Sequence, residues 1–94
     1  MRKTIYSPGQ KAFIRLLREA REATGLQQAA LAERLHTSQS VISKIETGDR
    51  QMDVLELRQW CLAVGVSLET FVGRLEVALR EDEYPGLPTM GDER

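Results

Sequence analysis

Cysteine and histidine each occur once in the 94 residues, as Cys61 and His36. A single thiol excludes an intramolecular disulfide. One thiol with one imidazole also falls short of the Cys/His sets that hold zinc. No apolar run approaches the roughly 18–20 residues that span a membrane, and no signal-peptide core follows the basic start. No Gly-rich phosphate loop, Ser–His–Asp set or metal motif is present. Glu81, Asp82 and Glu83 read as a solvated run, not as a positioned acid/base pair. His36, on an exposed turn with no Cys partner, does not read as a catalytic or metal residue. These absences lead to the expectation of a cytoplasmic domain that is no enzyme and uses no cofactor, metal or membrane.

Hydrophobic residues make up 41% and charged residues 29%, the balance of a globular protein. A chain of this size buries about 60–65% of its unfolded surface, which suffices for one modest core. The net charge of −1 hides an asymmetry. Residues 1–50 carry nine Lys/Arg against five Asp/Glu, whereas residues 51–94 carry four against nine. If either half meets a polyanion, it is the first.

Runs of β-branched residues are absent, and glycine and proline are sparse before residue 85, so the chain reads as all-α with five helices. Ser7-Pro8-Gly9-Gln10 is a helix start: Ser7 caps, Pro8 loses no needed N–H, and Gln10 completes a capping box. Phe13, Leu16, Leu17 and Ala20 then form one apolar stripe, and Gly25 ends the helix in a left-handed conformation. A short second helix, Gln28 to Leu35, points Leu31, Ala32 and Leu35 inward. Thr37 or Ser38 caps a third, which buries Ile42 and Ile45 and stops at Gly48. Asp53-Val54-Leu55-Glu56 is a second capping box, opening a helix with Leu57, Trp60, Cys61 and Val64 inward. Cys61 reads as core, and Trp60 as core or a dimer contact. Ser67 caps the fifth helix, with Leu68, Phe71, Val72, Leu75 and Leu79 inward.

The expected organisation is an arm over residues 1–8, a domain over 9–80 and an acidic tail over 81–94. The tail has too little apolar surface to fold alone and is expected to be disordered. It has three readings: a solubilising terminus, a dock for a protein partner, or a flap over the basic face.

Polar residues carry the functional signal. Ser38, Gln39, Ser40, Ser43 and Lys44 cluster on the exposed side and first turn of the third helix. A merely solvated helix would show Glu–Lys pairs there. Short donors and acceptors beside one cation instead suit the reading of base edges.

Gly25-Leu26-Gln27-Gln28-Ala29-Ala30-Leu31-Ala32, then Ser38-Gln39-Ser40-Val41-Ile42-Ser43-Lys44-Ile45-Glu46-Thr47-Gly48, resembles the phage repressor and Cro (xenobiotic response element) type of helix-turn-helix regulator. The stretch from Leu57 to Val66 resembles that family's fourth helix. The resemblance covers roughly residues 10 to 76. It implies a five-helix repressor-like domain whose second and third helices form the helix-turn-helix, with the third in the major groove of double-stranded DNA. It implies DNA contacts from Gln28, Thr37, Ser38, Gln39, Ser40, Val41, Ser43, Lys44 and Arg50. Gln28 and Arg50 would meet phosphate, Gln39 an adenine and Lys44 a guanine. Val41 has two readings, contact with a thymine methyl or half-burial against the second helix.

The resemblance also implies a structural ion pair between Arg21 and Glu46. Two positions depart from the family pattern. His36 replaces the usual turn glycine, and Gln27 stands where Ser or Thr caps the second helix, leaving a weak cap. The function implied is a transcriptional repressor acting as a homodimer on a palindromic operator. The alternative is the antitoxin of a toxin–antitoxin pair, with the tail given to its toxin.

Overall fold

The computed structural model describes residues 7–82. They form five α-helices in chain order: α1 (Pro8–Ala23), α2 (Gln28–Arg34), α3 (Gln39–Thr47), α4 (Val54–Val64) and α5 (Leu68–Asp82). The expected caps explain the starts. Ser7 Oγ accepts from the Gln10 N–H, which is the serine half of the expected capping box and the half that forms, while Ser38 Oγ accepts from Val41 and Ser67 Oγ from Thr70. Asp53 and Glu56 form the reciprocal capping box, so α4 begins with two backbone donors satisfied. Of the two residues offered as the α3 cap, Ser38 takes the role. Gln27 makes no side-chain cap, and α2 is only seven residues long.

The turn between α2 and α3 depends on His36, whose φ of 56° is left-handed. This conformation ends α2 and brings the Thr37 N–H back to the Ala32 carbonyl at 2.9 Å. A Cβ makes it costly, which is why glycine is the common solution.

The two short helices pack on each other, α1 crosses α3 and α5, and α4 closes the far side. Leu17, Leu31, Ile42, Trp60, Cys61 and Phe71 are fully buried where these elements converge. The Trp60 indole N–H donates to the Leu17 carbonyl at 3.3 Å, satisfying the core's one indole donor. Phe13 meets Phe71 edge-on, with ring centroids 6.0 Å apart, and this contact fixes α5 against α1.

Several details depart from the periodicity. Val72 is not inward; it is 45% exposed, because Phe71, one position away, takes the core side. Leu35, Leu68, Leu75 and Leu79 are half-buried, whereas Ala12 joins the core. Helix α5 runs on to Asp82, two residues into the stretch expected as tail. The rest of the expected tail, 83–94, and residues 1–6 of the expected arm lie outside the described residues.

Gly73 lies within α5, and a methyl placed on it meets nothing within 4 Å. Gly73→Ala is therefore expected to stabilise the fold by about 0.5–1 kcal/mol through helix propensity. A raised urea midpoint at unchanged slope would show this, and a lowered midpoint would contradict it.

Candidate nucleic-acid interface

Helix α3 carries most of the residues expected to meet DNA. Thr37, Ser38, Gln39, Ser40 and Lys44 are exposed, and Ser43 is half-buried. Val41 is half-buried and packs against the core. The exposed members lie along the first turn and outer face of a helix whose inner face is held by Ile42, Ile45 and Glu46. Arg50 follows Gly48, which ends α3 at φ 88°. Its Nη2 lies 3.3 Å from Glu56 Oε2, so an intramolecular carboxylate already holds this expected phosphate contact.

Behind this face lies a buried polar network. Arg21 is 8% exposed and Glu46 only 2%. Arg21 Nε donates to Glu46 Oε2 at 2.6 Å and Nη2 donates to Oε1 at 3.0 Å, the two-pronged geometry of a strong charge-assisted pair. The remaining guanidinium nitrogen donates to the Leu26 carbonyl at 2.8 Å, tying α1 to the loop before α2. Arg18 Nε stands 3.5 Å from Glu46 Oε1. One carboxylate thereby joins α1, the α1–α2 loop and α3.

Gln28, the residue that opens α2, also joins this network: its Nε2 donates to Glu46 Oε1 at 2.9 Å, and its Oε1 accepts from Gln39 Nε2 at 3.3 Å. The sequence did not disclose this link, because it joins residues 18 and 11 positions apart. A second unforeseen tie runs from Arg34 Nη1 to the Ala63 carbonyl, 2.7 Å away, joining α2 to the last turn of α4.

Burial pushes the Glu46 carboxyl up. The Arg21 hydrogen bond, the Gln28 N–H and the charges of Arg21 and Arg18 together outweigh that, and hold it below the usual carboxylate range. On Arg21 the hydrogen bond to Glu46 leads, raising its pKa against the desolvation that lowers it. Cys61, buried among apolar neighbours, has its thiol pushed up and stays protonated.

The depressed Glu46 value has a signed consequence. The folded state releases this proton more readily than the unfolded chain. The pair's contribution is therefore full above the unfolded value of about 4.3 and is lost as pH falls through the folded value. Urea midpoints below about pH 4.3 should fall more steeply for the wild type than for an Arg21→Met/Glu46→Leu double variant. Parallel declines would mean that Glu46 is not held in its charged form.

Among the described residues, no group of three His, Cys, Asp or Glu is placed to hold a metal ion. No helix there is long and apolar enough to cross a membrane.

The Helix-turn-helix family model matches residues 17–71, from the middle of α1 into α5. A solved structure, an XRE-family like protein from Pseudomonas syringae pv. tomato str. DC3000, superposes with a TM-score of 0.73 at 38% sequence identity. The match covers 82% of this chain and 94% of that one. No curated protein matches. The matched segment spans the helix pair, the buried Arg21–Glu46 network and the exposed polar face of α3, and the chain belongs to the XRE-type helix-turn-helix family of DNA-binding transcriptional regulators.

Proposed function

We propose that the chain is a repressor that binds a palindromic operator as a homodimer in the cytoplasm, with no catalytic activity or cofactor of its own. Residues 9–80 are the DNA-binding unit. The observation that carries this reading is the outer face of α3, where Gln39, Ser40 and Lys44 stand exposed over a helix fixed from behind by Glu46. In this reading Gln39 and Lys44 meet base edges, with Ser38, Ser40, Ser43 and Val41 beside them. Thr37, Arg50 and the first turn of α2 at Gln28 meet phosphate. Arg50 would exchange Glu56 for that phosphate.

One recognition helix spans too few base pairs to find a single site among a genome's competitors. A second copy doubles the site. Exposed apolar side chains support such a partner: Leu55 and Leu62, seven residues apart on one face of α4, are 72% and 59% exposed.

Selection from random duplex DNA tests the proposal. The selected sites should be inverted repeats with half-site centres about 10–10.5 base pairs, or a multiple, apart. Gln39→Ala should weaken binding to the selected site by about 1–3 kcal/mol and relax preference at one base pair per half-site. An unchanged preference profile would remove α3 from the groove. The acidic 81–94 segment supports a second reading, an antitoxin that also represses its own operon. A growth-arresting protein encoded next to this chain would favour it.

A further inference from the structure

We infer that Glu56 sets the DNA affinity of this chain, as an intramolecular stand-in for phosphate that Arg50 must leave before it can bind a DNA strand. The inference rests on the proposed phosphate contact of Arg50. It adds an affinity-determining residue on α4, outside the helix-turn-helix.

The backbone holds both ends of the pair. The Arg50 N–H donates to the Lys44 carbonyl at 3.1 Å, which ties the loop after Gly48 to the last turn of α3. Glu56 is fixed by the start of α4. Its Oε1 accepts the Asp53 N–H at 3.1 Å, while its own N–H donates to Asp53 Oδ1 at 2.8 Å. The capping box therefore occupies one carboxylate oxygen and leaves the other, Oε2, for Arg50 Nη2 at 3.3 Å. Partners already ordered in this way give up less side-chain entropy on pairing than two unconstrained surface chains. Arg50 and Glu56 also line one crevice with Thr37 and Val41, so the pair borders the start of α3 and the face proposed for DNA.

Phosphate and carboxylate offer Arg50 the same thing, anionic oxygens that accept its N–H groups. A phosphate that takes Arg50 displaces Glu56, and the freed carboxylate then stands beside the polyanion. Its charge offsets the one that Arg50 brings. At a distance the pair presents no net charge either, so Arg50 adds little to the attraction that gathers DNA. Capping by itself does not require a carboxylate, since the amide oxygen of a glutamine can accept the same Asp53 N–H. The negative charge at this position acts on Arg50.

The test measures binding of the full chain to the selected duplex and to a random duplex of equal length, at several salt concentrations. Wild type, Glu56→Gln, Arg50→Ala and the double variant are compared. Glu56→Gln keeps the cap and releases Arg50. An exposed ion pair shifts an equilibrium by about a factor of 1.5–5, so two in a homodimer give about a 2–25-fold gain in affinity. The gain should appear on both duplexes, because a phosphate contact carries no sequence information. The log–log salt slope should steepen by about 0.9 per protomer, a change that a purely structural role would not produce. In the Arg50→Ala background, the same substitution should keep only a small part of the gain. Glu56→Ala loses the cap as well as the charge, and should bind more tightly in spite of a lower urea midpoint.

Equal gains with and without Arg50 overturn the inference, because Glu56 would then act only as a negative charge near DNA. If Arg50→Ala weakens binding but neither Glu56 variant strengthens it, the phosphate contact stands and the competition fails. If Arg50→Ala changes nothing in either background, the proposed contact itself fails, and the inference with it.

Discussion

Arg21→Met is expected to destabilise the domain by about 3–5 kcal/mol, because it strands a carboxylate with almost no access to water. The side chain it leaves behind, Glu46, is 2% exposed, and only Gln28 and the more distant Arg18 would remain beside it. The Leu26 carbonyl would lose its guanidinium donor as well. Glu46→Leu should cost a similar amount for the mirrored reason, since it leaves a guanidinium in the core and an unmatched Gln28 amide. Replacing both removes the two charges together and should cost much less than the sum of the single changes. A double-mutant cycle on urea unfolding measures the difference. Additivity within about half a kcal/mol would mean that the two side chains do not act as a pair. The double variant is also expected to bind DNA more weakly than its stability alone suggests, because α1 and α3 would no longer share an anchor.

Salt should have the largest effect on affinity. A homodimer that neutralises about six phosphates gives a log–log slope near −5, and ten would give about −9. The structure favours the shallow end. Of the nine Lys/Arg in residues 1–50, Arg21 is buried in its ion pair and Arg34 reaches the Ala63 carbonyl. Arg50 must first give up Glu56. Raising salt from about 50 to 200 mM should therefore lower affinity by about a thousandfold. Titrations at several salt concentrations, with labelled operator duplex, measure the slope. A value near zero would be incompatible with phosphate binding of any kind.

The helices were legible because their ends are written in local chemistry. Ser7, Ser38, Asp53 and Ser67 each bond a backbone N–H three residues on, and Gly25, Gly48 and Gly65 adopt the left-handed backbone that stops a helix. These contacts depend on near neighbours alone. Val72 was misjudged for the opposite reason. Periodicity identifies an apolar stripe, but the way α5 lies against α1 decides whether Phe71 or Val72 occupies its centre. The polar face of α3 and the Arg21–Glu46 pair were legible through composition and family resemblance. The engagement of Gln28 was not, since nothing along the chain shows that its amide is spent between Glu46 and Gln39. Arg34 was missed likewise, because a backbone carbonyl 29 residues away leaves no mark in a sequence pattern.

Trp60 gives the molecule a built-in optical probe. It is the chain's one tryptophan, fully buried, with its indole N–H bonded to a helix carbonyl in place of water. Its fluorescence should be blue-shifted while the core is intact and move to the red as urea admits solvent. The single-site substitutions, the double-mutant cycle and the acid titration can then be followed on unlabelled protein. A variant that alters DNA recognition while leaving this emission in place has changed the binding surface and kept the interior.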